Sequence, residues 1–128
     1  MLKNKRILIT GGAGSIGSEL VRQLYRDNEI YIFDIDETRM FDLVEELGIK
    51  GRVGDIREIE AIWEAFESFK PEMVFHVAAL KHVTPSQWTP GEYIKTNRYG
   101  TLNIIAVAKC FEVEKLINIS TDKVVEKK

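Results

Sequence analysis

Several absences narrow the range of functions that this 128-residue chain can have. It contains one cysteine, Cys110, so it cannot form an internal disulfide. It has no uncharged apolar run long enough to span a bilayer and no signal-peptide pattern. Its formal net charge of −2 gives no electrostatic reason to expect a nucleic acid or an anionic membrane as partner. Two histidines without clustered cysteines or paired carboxylates argue against a zinc site. We therefore expect a protein of a reducing, cytoplasmic setting that holds no metal.

The most informative feature present is an apolar strand followed at once by a glycine-rich turn and an amphipathic segment. Gly12, Gly14 and Gly17 match the G-x-G-x-x-G pattern, and Gly11, Gly14 and Gly17 match G-x-x-G-x-x-G. Such glycines permit a tight turn, let the backbone approach a pyrophosphate and let the helix pack close to the strand. The phosphates then lie at the positive end of the helix. The predicted cofactor contacts here are Gly11, Gly14, Ser15, Ile16 and Gly17.

Strand and helix patterns alternate along the rest of the chain. Apolar runs predict strands at 6–10, 30–34, 51–54, 73–78 and 116–120. Pro90 is predicted to begin a long helix that ends near Cys110, with one face formed by Ile94, Asn97, Thr101, Ile105 and Ala108. This alternation predicts one α/β domain over 1–128, a doubly wound, Rossmann-like parallel sheet of order 3-2-1-4-5 that is truncated after the fifth strand. Its exposed edges suggest a homo-oligomer.

Three aspartates follow predicted strands. Asp34 lies about twenty residues beyond the glycines, where an acid accepts hydrogen bonds from the adenosine ribose and repels a 2′-phosphate. This favours NAD over NADP, with a solvated turn residue as the alternative. Asp36 could share that role. Asp55 could reach the adenine amino group or cap the third helix.

Further polar residues lie near the same edge of the predicted sheet. His76, within the fourth strand, is expected to be partly buried with a backbone partner, and His82 could contact a substrate phosphate or lie at the surface. Asn97 could brace the backbone near the site or fill an internal gap. The segment 120–123, Ser-Thr-Asp-Lys, follows the fifth strand directly. Its side chains could polarise a carbonyl and move protons, or could form turn hydrogen bonds.

These segments together resemble the extended short-chain dehydrogenases/reductases, and more narrowly the polysaccharide-biosynthesis (CapD-type) nucleotide-sugar 4,6-dehydratases. The resemblance covers essentially the whole chain. It rests on the glycine turn at 10–19, Gly-Asp-Ile-Arg at 54–57, Phe-His-Val-Ala-Ala-Leu-Lys-His-Val at 75–83, Lys-Thr-Asn at 95–97 with Gly-Thr at 100–101, and Ile-Ser-Thr-Asp-Lys-Val-Val at 119–125. The segments at 78–83 and 120–123 are the most specific to this subgroup.

The resemblance implies a UDP-N-acetylhexosamine substrate, such as UDP-N-acetylglucosamine, and a tightly held nicotinamide cofactor that removes and returns a hydride. In the family's scheme Thr121 binds the C4 oxygen, Asp122 protonates the departing C6 hydroxyl and Lys123 removes the C5 proton. The same resemblance implies a cofactor and substrate cleft. Its cofactor contacts would be Asp55, Ile56, Ala78, Ala79, Leu80 and Asn97, and its substrate contacts Lys81 and His82.

One departure from the family is expected to matter for activity. The family places a Tyr-x-x-x-Lys pair, with Met for Tyr in some members, soon after Ser-Thr-Asp-Lys, and the 128 residues end before that pair. We therefore expect this chain alone to bind a dinucleotide and to catalyse nothing. A nucleotide-sugar 4-epimerase relative and a non-catalytic binding or interaction module are the alternatives. Lys123 argues against the epimerase, because epimerisation needs no base at C5.

Overall fold

In the part of the chain that the structure describes, five strands alternate with four helices. The structure, a computed structural model, describes residues 2–78 and 90–120, with side chains for residues 2–77 and 98–119. In chain order the elements are β1 (Arg6–Thr10), α1 (Ser15–Leu24), β2 (Glu29–Asp34), α2 (Glu37–Leu47), β3 (Lys50–Val53), α3 (Ile59–Phe69), β4 (Met73–Ala78), α4 (Pro90–Cys110) and β5 (Lys115–Ser120).

The strands form one parallel sheet of order β3-β2-β1-β4-β5, which confirms the predicted doubly wound, Rossmann-like topology. β1 lies at the centre, and the register pairs Thr10 with Phe33 of β2 and with His76 of β4. Asp34 in turn pairs with Val53 at the end of β3. The carboxyl ends of β1, β2, β3 and β4 therefore meet at one edge of the sheet, where the glycine turn begins.

The sheet is covered on both faces, which explains why its strands have apolar residues at successive positions. In β1, Ile7 and Ile9 pack on one face and Leu8 on the other. One core joins β1, β2 and β4 to α1 and α2, through Val21, Met40 and Leu43 among others. The second joins the opposite face to α3 and α4, through Ile62, Phe66, Ile104 and Val107 among others. β3 and β5 are the outermost strands.

Of the predicted face of α4, the described side chains include Ala108, which is buried, and Ile105, which is not. The described buried positions of this helix are Gly100, Ile104, Val107 and Ala108, whereas Ile105 is 36% exposed. The reason is steric, because Gly100 is the position at which α4 approaches the loop after β3 closely. A pattern of apolar residues does not single out a glycine as the point of contact.

The helix ends follow local sequence signals where these exist. α2 begins after Asp36, whose side chain accepts a hydrogen bond from the Arg39 backbone N–H. It ends at Gly48, which adopts the left-handed conformation with φ of 68°. None of the helices in the described ranges combines the length and the apolar character needed to cross a membrane.

Candidate cofactor site

The glycine turn between β1 and α1 is built on close backbone contacts. Gly11 has φ of 72°, a conformation that favours glycine, and a Cβ there would lie 2.6 Å from the Val77 carbonyl oxygen. A Cβ on Gly17 would lie 2.0 Å from the Gly11 carbonyl oxygen. The first helical turn therefore rests directly on the glycine turn, as predicted for the third glycine of the pattern.

Gly14 differs from these two glycines because it faces space that the described residues do not fill. A Cβ on Gly14 would meet only the Gly11 carbonyl oxygen, at 3.6 Å, which is ordinary van der Waals contact. Its backbone is extended, with φ of −75° and ψ of 177°, and does not itself require glycine. The lack of a side chain at Gly14 thus keeps open a space beside the turn.

The N-terminus of α1 presents backbone donors to that space. Gly14 N–H bonds to the Gly11 carbonyl and Ser18 N–H bonds to the Gly14 carbonyl. The intervening N–H groups, of Ser15, Ile16 and Gly17, take part in none of the hydrogen bonds between described residues. No side chain in the described ranges caps this helix, and its first turn contains no acidic residue. Such an end attracts an anion through its N–H groups and the helix dipole.

Asp34 fixes the conformation of the glycine turn as well as facing the same edge. Its Oδ2 accepts a hydrogen bond from the Ala13 N–H at 2.9 Å, and its Oδ1 accepts one from the Asp36 N–H at 2.8 Å. The alternative of a merely solvated turn residue is therefore wrong, because the side chain is half-buried and bonded at both oxygens. Each carboxylate oxygen retains a second lone pair for another donor.

Asp36 lies farther out and has a structural role of its own. It caps α2 through the Arg39 N–H at 3.1 Å, and its carboxylate lies 3.7 Å from Nε of Arg39. The cation closest in sequence to Asp34 is thus paired with an acid. Asp34 and Asp36 together leave the edge beside β2 negatively charged.

Asp55 and Ile56 form the neighbouring part of the same edge. Three contacts join the Asp55 carboxylate to the Arg57 guanidinium, the shortest being 2.6 Å from Nη2 to Oδ2. This ion pair lowers the pKa of Asp55. Asp55 does not cap α3, so that alternative is wrong: α3 begins after Glu58, and the Asp55 side chain instead accepts the Arg57 N–H at 2.9 Å.

Ile56 is held against α4 by two contacts. A Cβ on Gly100 would lie 2.4 Å from both Cγ1 and Cδ1 of Ile56, so only glycine lets the helix come this close. The Asn103 side-chain amide donates to the Ile56 carbonyl at 2.9 Å. Sequence reasoning did not identify either Gly100 or Asn103 as a residue of the site.

His76 is more deeply buried than predicted, and its partners are side chains rather than backbone. Its side chain is 1% exposed, with Nδ1 2.6 Å from Thr10 Oγ1 and Nε2 2.9 Å from Thr101 Oγ1. Burial lowers its pKa from the ordinary value of 6.5 to about 4, so the imidazole is neutral at pH 7. Among the described residues no group of three or more His, Cys, Asp or Glu is placed to hold a metal ion.

The remaining predicted site residues lie wholly or partly outside the described structure. The backbones of Ala78 and Asn97 belong to β4 and α4, but their side chains are not among those described. The other seven lie outside the described residues and stay predictions: Ala79, Leu80, Lys81 and His82, which directly follow β4, and Thr121, Asp122 and Lys123, which directly follow β5.

The family described as Polysaccharide biosynthesis protein matches residues 7–128, which is nearly the whole chain. The chain belongs to this family. The family match thus includes both the described edge and the segments at 79–89 and 121–128.

Relatives of this chain include nucleotide-sugar enzymes of two kinds. It is 48% identical over 128 residues to a protein of Methanocaldococcus jannaschii named as an uncharacterized membrane protein, covering 96% of this chain and 38% of that protein. It is 38% identical to an inverting UDP-N-acetylglucosamine 4,6-dehydratase of Campylobacter jejuni, covering 96% and 38%. It is 37% identical to a UDP-glucose 4-epimerase of Rickettsia bellii, covering 98% and 39%. The chain thus spans about two fifths of these relatives' length.

Solved structures of similar fold contain NAD. The Bordetella bronchiseptica enzyme WbmG in complex with NAD and UDP has a TM-score of 0.77 and 33% identity, with 91% of this chain and 37% of that chain covered. The Thermus thermophilus UDP-glucose 4-epimerase in complex with NAD has a TM-score of 0.75 and 36% identity, with 87% and 36% covered.

Proposed function

We propose that this chain is the NAD-binding part of a nucleotide-sugar 4,6-dehydratase that acts on a UDP-N-acetylhexosamine in surface polysaccharide biosynthesis. One observation carries the cofactor assignment: the three N–H groups at the start of α1 and the Asp34 carboxylate both adjoin the glycine turn. The first group suits a pyrophosphate, and the second suits the hydroxyls of a ribose.

The residues present fit a dinucleotide. The space that the described residues leave beside Gly14 adjoins the N–H groups of Ser15, Ile16 and Gly17, and a side chain at position 14 would enter it. Asp55 and Ile56 line the same edge one strand farther out and would hold the adenine end. When bound, the nicotinamide would supply a hydride acceptor and donor to the sugar.

Charge at the β2 end supports NAD rather than NADP. A 2′-phosphate would approach Asp34 and Asp36, and the nearby Arg39 is already paired with Asp36. Like charges brought together in a partly desolvated site cost free energy. NAD carries hydroxyls at that position, which can donate to the remaining lone pairs of Asp34.

The dehydratase assignment rests on the segment after β5 and on the relatives. In this proposal Thr121 holds the sugar C4 oxygen, Asp122 gives a proton to the departing C6 hydroxyl and Lys123 takes the proton from C5. Lys81 and His82, after β4, would contact the nucleotide sugar at the same edge. The dehydratase relative of Campylobacter jejuni supports this choice.

A nucleotide-sugar 4-epimerase is the second candidate, because epimerases are also among the relatives and the structural neighbours. The two reactions differ at C5, since only dehydration requires removal of the C5 proton. Lys123 therefore discriminates between them.

The cofactor proposal is tested by calorimetric titration of NAD and NADP into the wild-type chain and two matched variants. Asp34→Asn removes the charge beside the glycine turn. Asp36→Asn removes a charge two residues away and retains a good helix cap. We expect NAD to bind more tightly than NADP, with the preference reduced about tenfold or more in Asp34→Asn and by a smaller factor in Asp36→Asn. Absence of NAD binding to the folded wild-type chain would refute the proposal.

The reaction is tested with the full-length protein that contains this chain. UDP-N-acetylglucosamine is supplied, and the products are separated by mass, because dehydration removes 18 mass units and epimerisation removes none. We expect dehydration that is lost in Lys123→Met, while NAD affinity stays within about twofold of wild type. A 4-epimer as the sole product, formed equally well by Lys123→Met, would establish the epimerase instead.

A further inference from the structure

A buried chain of hydrogen bonds connects three elements near the candidate site. Thr10 ends β1, His76 lies near the end of β4, and Thr101 lies in α4. Thr10 and His76 are each 1% exposed, so water does not compete for the bond between them, and Thr101 at the other end is half-buried. Neutral imidazole has one donor and one acceptor nitrogen, and each threonine hydroxyl can serve either purpose. These hydrogen bonds can therefore all form while the imidazole is neutral.

The two threonines at the ends of this hydrogen-bonded bridge adjoin residues of the cofactor site. Thr10 directly precedes Gly11, whose Cα lies against the Val77 carbonyl, next in sequence to His76. Thr101 directly follows Gly100, against which Ile56 packs. His76 thus lies between the glycine turn and the loop that contains Asp55 and Ile56.

The Thr101 hydroxyl does not need His76 to find a partner, because a threonine within a helix readily bonds to the backbone of the preceding turn. Thr10 lies in β1 and has no helix backbone of its own. One imidazole spans the distance between β1 and α4 with a bond at each ring nitrogen, 2.6 Å and 2.9 Å long. A rigid ring bonded at both nitrogens fixes the separation of the two elements, which a flexible apolar side chain does not.

We propose that His76 is a positioning residue, which sets the spacing between the glycine turn and the Ile56 loop by bridging Thr10 to Thr101. The inference rests on the proposed function, because the spacing matters to a dinucleotide that contacts both places. The bridge acts through its neighbours and does not touch the cofactor. The lowered pKa of His76 supports a neutral bridge at pH 7.

The decisive substitution is at the far end of the bridge, away from the glycine turn. Thr101→Val keeps the shape of the side chain and removes its hydroxyl, whereas Thr101→Ser keeps the hydroxyl. Val107→Ala is the matched control, because it removes buried methyl groups from the same helix without touching the bridge. Stability is measured for each by thermal unfolding, and the dissociation constant for NAD is measured at a temperature at which all variants are folded.

We expect Thr101→Val to raise the dissociation constant for NAD at least fivefold. Thr101→Ser and Val107→Ala should stay within twofold of wild type, although Val107→Ala also lowers the unfolding midpoint. Equal NAD affinity in all four folded proteins would overturn the positioning role and leave the proposed function intact. Failure of wild type to bind NAD would refute the proposed function, and this inference with it.

A second readout needs no cofactor. In the free protein the backbone amide signals of Gly11 and Ile56 are followed by NMR, and the ¹⁵N shifts of His76 report the state of its two ring nitrogens. We expect one protonated and one unprotonated nitrogen at pH 7, and a shift of the Gly11 amide in Thr101→Val that Thr101→Ser does not produce. Changes confined to α4 would show that the bridge does not transmit position.

Discussion

Two glycines of one turn, Gly14 and Gly17, should respond to alanine in opposite ways. Gly17 is pressed against the chain itself, since its Cβ would lie 2.0 Å from the Gly11 carbonyl oxygen. Gly14 faces space that the described residues leave open, and it has an extended backbone that alanine adopts without strain. Gly17 is thus required by the fold, and Gly14 only by what binds beside it. Gly14→Ala and Gly17→Ala separate the two requirements.

The expected stability changes follow from these contacts. In Gly14→Ala the unfolded chain loses entropy worth about 0.4–1 kcal/mol, which roughly offsets the preference for glycine over alanine at a helix cap of about 0.5–1 kcal/mol. In Gly17→Ala the backbone overlap costs about 3 kcal/mol or more, from which the better helix propensity of alanine returns about 1 kcal/mol. We therefore expect a change near zero for Gly14→Ala and a loss of about 2 kcal/mol or more for Gly17→Ala.

The assay combines urea unfolding with calorimetric titration of NAD. Gly14→Ala should unfold like wild type but bind NAD at least tenfold more weakly, because the new methyl group occupies the space assigned to the pyrophosphate; tenfold corresponds to about 1.4 kcal/mol. Gly48→Ala is the control glycine: its φ of 68° makes alanine costly, but it lies at the far end of α2 and should not change NAD affinity. Wild-type affinity in Gly14→Ala would refute the assignment of that space to phosphate.

Three further results are expected. The free energy of unfolding should fall by up to about 3 kcal/mol as the pH drops from 6.5 towards 4. The cause is that the pKa of His76 is lowered to about 4 in the folded protein, so that only the unfolded chain binds a proton there over this range. Urea unfolding of wild type and His76→Gln at several pH values isolates this contribution. Gly100→Ala should displace Ile56 and weaken NAD binding, and adding Ile56→Ala should restore the stability lost to the overlap, as a double-mutant cycle by urea unfolding measures. Arg57→Gln should raise the pKa of Asp55 towards its ordinary value, which an NMR titration of the carboxyl carbon records; an unchanged pKa would contradict the assigned cause.

The sequence was sufficient for the sheet and the glycine turn because both depend on local patterns. Apolar runs bounded by turns defined the five strands to within one residue at most ends, and a parallel sheet with helical crossovers has few arrangements. The tight contacts of Gly11 and Gly17 follow from a motif whose geometry is set by neighbouring residues. The end of α2 is also determined by a local signal, the left-handed Gly48.

Where the prediction was wrong, the deciding contact lies between residues distant in the chain. The face of α4 is set by the packing of Gly100 against Ile56, 44 positions apart in the printed sequence. Apolar periodicity does not detect this contact, because glycine has no apolar side chain to contribute to the pattern. The partners of His76 are 66 and 25 positions away, so nothing around it in the sequence shows that both its nitrogens are bonded. The order of residues along the chain identified the edge of the sheet at which the site lies, but not the contacts between distant residues there.

Asp34 shows why a correct residue can still have an incompletely predicted role. Its place after β2 identifies an acid suited to a ribose, and a substitution to alanine would be the obvious test. The carboxylate also bonds to the Ala13 and Asp36 N–H groups, so that alanine would leave two backbone donors without their partner and disturb the glycine turn. A loss of NAD binding in such a variant would then reflect the turn as much as the ribose. The ratio of NAD to NADP affinity is the more selective measure, because a distorted turn weakens both cofactors, whereas a lost charge favours only the one with the 2′-phosphate.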